Sequence, residues 1–123
     1  MKFCWTTLQV NNLEITQKFY EEVVGLKLNR RFKPSEGMEI AFLCEGETEI
    51  ELIESVHSEK YPTSGQISIG FVVETTLEDQ ISLLKKKGIT ALTEVVQPNP
   101  NIRFFYAKDP DGVSVQFVQR ILD

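Results

Sequence analysis

The chain has 123 residues, 41% of them hydrophobic and 25% charged, with a net charge of −5. Those values fit one globular domain that can bury a core without disulfides or a structural metal. The acidic balance and the lack of a basic stripe exclude a protein that tracks a phosphate backbone, and no apolar run approaches membrane-spanning length.

Residues 3–10 (FCWTTLQV) read as a strand. Asn11-Asn12 then offers a cap for a helix over LEITQKFYEEVV, where Leu13, Phe19, Tyr20, Val23 and Val24 fall near helical spacing and Gly25 provides the stop. Three strands follow, KLNRRFK, MEIAFLC and TEIELIE, with turns at PSEG and EGE. Residues 57–65 form a polar linker that begins at His57, the single histidine, read as a solvated loop residue. QISIGFVV is the next strand, and LEDQISLLKKK is an amphipathic helix with Leu77, Ile81 and Leu84 on one side. The run Lys85-Lys86-Lys87 sits at its C-terminus, where cations meet the negative end of the dipole, and Gly88 ends it. TALTEVV, NIRFFYAK and GVSVQFVQR complete the chain as three strands.

The second half repeats the order of the first. Val10 to Gly25 is 15 residues and so is Val73 to Gly88, which maps Leu8 and Val10 onto Phe71 and Val73 with a shift of 63. The expectation is a single domain over residues 1–123, built of module 1–56 and module 66–123 joined by linker 57–65. Cys4 and Cys44 form no CxxC and read as free thiols. MKFCWTTLQV lacks the apolar core of a secretory signal, so the expected location is cytoplasmic.

Alternation gives each strand two faces. Cys4, Thr6, Leu8 and Val10 oppose Phe3, Trp5, Thr7 and Gln9; Ile50 and Leu52 oppose Glu49 and Glu51. Ile69 and Phe71 oppose Ser68 and Gly70; Val115 and Phe117 oppose Ser114 and Gln116. One face of each strand is apolar and belongs under a helix. The other, holding Trp5, Glu51, Ser68 and Gln116, is either the wet side of an antiparallel sheet or the wall of a hollow.

LQVNNLEITQKFYEEVVGLKL resembles the opening of the vicinal oxygen chelate superfamily, the glyoxalase/bleomycin resistance protein/dioxygenase family, and FYAKDPDGVSVQF resembles its closing signature. The resemblance implies an α+β fold: two βαβββ modules whose curled mixed sheets close into a cleft. It also implies four central positions that hold an ion in metal-using members. Carried over, these fall on Trp5, Glu51, Ser68 (or Gln66, one step along the same face) and Gln116. The family's usual His and Glu ligands are mostly replaced. An indole N–H only donates, and Ser and Gln are weak neutral ligands, which leaves Glu51 alone, so no bound metal and no cofactor are expected.

What the resemblance then implies is a metal-independent protein that binds a small organic molecule, as the drug-sequestering members do. Trp5, Phe104 and Tyr106 would supply aromatic walls, Ser68 (or Gln66) and Gln116 hydrogen bonds, and Glu51 a charge for a cationic group. A homodimer is the expected assembly, with neither nucleic acid nor membrane as a partner. The alternative is an enzyme of this family that uses Glu51 as a general acid or base, or a non-standard metal site recruiting Glu51, Glu49 or His57.

Overall fold

The computed structural model describes residues 1–57 and 67–121. The chain divides into two compact units, Met1–Pro62 and Thr63–Asp123.

The first unit runs β1 (Trp5–Gln9), α1 (Leu13–Phe19) with a π-helical turn (Tyr20–Val24), β2 (Lys27–Ser35), β3 (Met38–Cys44) and β4 (Glu49–Ser55). Asn12 is extended and its side chain accepts from the Ile15 N–H, an ordinary N-cap. A second free amide of the first turn, Leu13 N–H, is taken by Glu54 Oε1 from β4. Leu13, Phe19, Tyr20 and Val23 are buried, and α1 packs on β3 and β4. The sheet they cover has the order β1-β4-β3-β2, with β1 parallel to β4 and the other pairs antiparallel. Ala41, Leu43 and Leu52 form its fully buried side. Each such leucine contributes roughly 2 kcal/mol by leaving water.

The second unit runs β5 (Ser68–Val72), α2 (Leu77–Lys86), β6 (Val96–Asn99), β7 (Ile102–Lys108) and β8 (Ser114–Arg120), with sheet order β5-β8-β7-β6 and β5 parallel to β8. Thr76 caps α2 through Asp79 N–H, and Gln119 Oε1 accepts from Leu77 N–H as Glu54 does from Leu13. Glu54 and Gln119 are each the sixth residue of their strand. Leu77, Leu84, Phe105, Val115 and Phe117 make the core, with the Phe105 and Phe117 rings 5.3 Å apart.

Two expectations are corrected. The helix expected over 13–24 is α-helical only to Phe19; Gly25 N–H reaches back five residues to Tyr20 O, and one extra residue is accommodated in a π turn. The strand expected over TALTEVV (90–96) is absent, and β6 lies at Val96–Asn99. Thr93 explains the difference. Its N–H donates to Tyr106 O, but its hydroxyl, not a carbonyl, accepts from Tyr106 N–H. A side-chain oxygen in the ladder consumes the edge of β7 there without extending a strand. The last strand starts at Ser114, two residues later than expected, because Gly112 (φ 89°) and Val113 belong to the preceding turn.

That turn is held by Asp109. Its carboxylate Oδ1, in a residue only 5% exposed, accepts from Asp111 N–H at 2.8 Å and Val113 N–H at 2.9 Å. Asp109 N–H donates to Val113 O and Gly112 N–H to Asp109 O, closing the loop that feeds β8.

Candidate functional site

The residues singled out by the sequence lie on the sheet faces opposite the helices. On the first unit this face is built from cross-strand pairs. Trp5 pairs with Glu49 and Thr7 with Glu51; Glu51 in turn pairs with Phe42, and Phe42 with Arg30. Thr7 Oγ1 donates to Glu51 Oε1 at 2.5 Å, so the carboxylate of Glu51 is oriented by a hydroxyl and not by a cation. Trp5 is 43% exposed and sets its edge against Phe42, centroids 5.3 Å apart at 74°. Arg30 lies over the same Phe42 ring, 3.9 Å from its centre, while its two Nη atoms hold Glu49 at 2.9 and 3.2 Å. Glu49 is further bound by Asn29 Nδ2, and the Asn29 amide first and Arg30 second hold its carboxyl below the usual carboxylate range. Of the two acids on this face, Glu49 is therefore paired with a guanidinium and Glu51 with a hydroxyl.

On the second unit Ser68 pairs with Ser114, and Gly70 with Gln116; across β8, Gln116 pairs with Tyr106 and Ser114 with Lys108. Gln116 lies against Gly70, where an added Cβ would come within 3.2 Å of its Oε1. Phe104 and Tyr106 stand on the same side of β7 and meet edge to face, 5.8 Å apart at 83°; the alternating Phe105 and Ala107 are buried beneath. A hollow of about 330 Å³ opens on this unit, lined by Ser68, Ala91, Thr93, Tyr106, Lys108 and Ser114 among others.

Within its own unit each expected residue thus joins a common face: Trp5 with Glu51, and Ser68 with Phe104, Tyr106 and Gln116. Gln66 lies outside the described residues. His57 does not join Glu49 and Glu51. It follows the far end of β4, within 3.5 Å of a Cβ built on Gly37 at the β2–β3 turn. Among the described residues no group of three or more His, Cys, Asp or Glu side chains is arranged to hold a metal ion. Cys4 and Cys44 are free, and no helix among the described residues is long and apolar enough to cross a membrane.

Several residues of these faces escaped the sequence reading: Arg30 and Phe42 on the first unit, Thr93 and Lys108 on the second; Thr7 and Ser114 were placed on the right face but given no role. Strand alternation names the face of each residue but not its neighbours across the ladder. The register that sets Phe42 beside Glu51, or Lys108 beside Ser114, is a pairing property.

The model of the Glyoxalase/Bleomycin resistance protein/Dioxygenase superfamily matches residues 2–117. The Bacillus subtilis protein YwbC is 34% identical over 120 residues, covering 94% of each chain. A lactoylglutathione lyase of Neisseria meningitidis is 29% identical over 98% of this chain and 91% of its own. A crystal structure of a glyoxalase family protein from Bacillus cereus superposes with a TM-score of 0.85 at 22% identity, covering 99% of this chain and 95% of that one. The paired βαβββ units, their matched helix caps and these likenesses agree: the chain belongs to the glyoxalase/bleomycin resistance protein/dioxygenase superfamily.

Proposed function

We propose that this chain is a metal-independent member of its superfamily that binds small organic molecules on the open faces of its sheets, with Trp5 and Glu51 on the first unit and Ser68, Phe104, Tyr106 and Gln116 on the second. The observation that carries the reading is the donor set. The four positions that the resemblance assigns to an ion hold an indole, a carboxylate, a hydroxyl (Ser68) or an amide (Gln66), and a second amide, and divalent transition metals require imidazole nitrogens and several carboxylate oxygens. These residues do not fit such an ion. They do suit small, partly aromatic guests: on the first unit the half-exposed Trp5 offers a stacking face, and on the second Ser68 and Gln116 offer neutral hydrogen-bonders. Glu51, oriented by Thr7, adds a site for positive charge.

A thermal-shift screen against aromatic compounds of positive, neutral and negative charge tests this. Binders are expected, with Trp5→Ala weakening them roughly tenfold or more and Glu51→Gln weakening chiefly the cationic ones. A screen without binders, or binders indifferent to both substitutions, refutes the proposal. A second reading, an enzyme using Glu51 as acid or base, draws on the 29% identity to a lactoylglutathione lyase. It requires that Glu51→Gln lower turnover by about 10²-fold or more, whereas the binding reading predicts no lyase turnover to lose.

Two further points belong to the same proposal. The assembly is a homodimer, since each four-stranded sheet ends in edge strands that need cover; sedimentation at micromolar concentration that finds a monomer counts against it. The location is the cytoplasm, where Cys4 and Cys44 stay reduced.

A further inference from the structure

The hollow of the second unit has a chemistry of its own. We propose that it is an oxyanion site, taking the carboxylate or phosphate of a small ligand on the Lys108 ammonium and the hydroxyls of Ser114 and Ser68. This rests on the reading of the chain as a small-molecule binder and deepens it by naming the charge of the group bound here.

Four observations lead to that charge. Among the described residues lining the hollow Lys108 is the one charged side chain, and none is a carboxylate. Lys108 Nζ donates to Ser114 Oγ at 2.8 Å; an ammonium has three N–H donors, so two remain for a guest. Because Ser114 Oγ receives that proton, its own O–H is turned away from Lys108 and is a further donor. The register Ser68–Ser114–Lys108 sets these three side chains in one row across β5, β8 and β7.

The remaining hydroxyls sort themselves. Thr93 Oγ1 accepts from Tyr106 N–H and donates to Glu94 O, so it is committed to the fold. The Tyr106 side chain lines the hollow beside the row, with a phenol that donates as well as accepts. Ile67, Ala91 and Ala107 supply the apolar lining for the carbon body of the guest. The volume, about 330 Å³, stands at the small end of the range for ligand sites. A convergent ammonium with two or three hydroxyl donors and no competing carboxylate is a charge-assisted receptor for an oxyanion, and it repels a cation.

The test is an amide ¹H–¹⁵N titration of the full chain with sodium benzoate and with benzamide, which has the same ring and shape but no charge. Benzoate is expected to shift the Ser68, Tyr106 and Ser114 amides and to bind about tenfold more tightly than benzamide at low salt. Lys108→Met should erase that preference while leaving the spectrum dispersed, Lys108→Arg should keep it, and Ser114→Ala should reduce it. Equal binding of benzoate and benzamide, or a preference that survives Lys108→Met, overturns the proposal. If aromatic ligands from the thermal-shift screen bind without needing Lys108, only the oxyanion site falls. If no compound of any charge binds, the small-molecule reading falls with it.

Discussion

Asp109→Ala should destabilise the protein more than any other single change in a turn. The carboxylate is buried and accepts two backbone N–H bonds, at 2.8 and 2.9 Å, inside the loop that delivers β8. A hydrogen bond to a charged acceptor contributes about 1.5–3 kcal/mol, and a buried N–H left without a partner costs about 1–3 kcal/mol. Water reaches the Asp111 amide, which is only part-buried, more readily than the buried Val113 amide. The expected loss is therefore about 2–4 kcal/mol, a large share of the ~5–15 kcal/mol that holds a domain folded. Asp109→Asn keeps an acceptor oxygen in the same place and should cost about 1 kcal/mol. Urea denaturation followed by far-ultraviolet circular dichroism measures both variants. If Asp109→Ala stays within about 0.5 kcal/mol of the parent, the turn is not what fixes the start of β8.

Gly70→Ala tests how Gln116 is held. The added Cβ comes closest to Gln116 Oε1, at 3.2 Å, with Gln116 Cβ at an ordinary 3.9 Å, and alanine relieves the entropic cost of glycine in a strand, worth about 0.5–1 kcal/mol. Stability within about 1 kcal/mol of the parent, by the same denaturation assay, is expected together with altered ligand affinity; a larger loss would show that Gln116 is pinned. Acid should weaken the fold in a defined window. The Arg31 guanidinium holds the Glu39 carboxyl below its ordinary value of 4.5, and Asn29 with Arg30 does the same for Glu49. A carboxylate whose folded pKa is lowered stabilises fully above its unfolded value, and that contribution disappears as pH falls through the folded one. The denaturation midpoint should thus be level near neutrality and fall below about pH 4.5, less steeply in Arg31→Gln; a midpoint that rises on acidification contradicts this.

The sequence showed the duplicated frame but concealed how the two copies differ. Val10 to Gly25 and Val73 to Gly88 have equal spacing, yet two offsets cancel within it. Val10 to Leu13 is three residues where Val73 to Leu77 is four, and Leu13 to Gly25 is twelve where Leu77 to Gly88 is eleven. The residue missing from the first loop reappears as the π turn at Tyr20–Val24. Composition does not mark such a turn, because Tyr20 and Val23 are buried as they would be in an α-helix. The face of Trp5, Glu51, Ser68 and Gln116 was legible from strand alternation. Their company was not. Whether Glu51 or Glu49 is neutralised by Arg30 depends on the register of β2, β3 and β4, and that register shifts between Leu28 and Arg30. The TALTEVV segment failed for a local reason: Thr93 offers its hydroxyl where a strand would offer a carbonyl, a choice that strand propensity does not register.

Elemental analysis of the purified protein after exhaustive dialysis tests the account most directly, since everything proposed for the open faces follows from a donor set too poor for an ion. The account predicts far less than one equivalent of nickel, zinc, iron or manganese per chain, with ligand binding unchanged by chelator. A stoichiometric metal that survives dialysis and disappears in Glu51→Gln would contradict it.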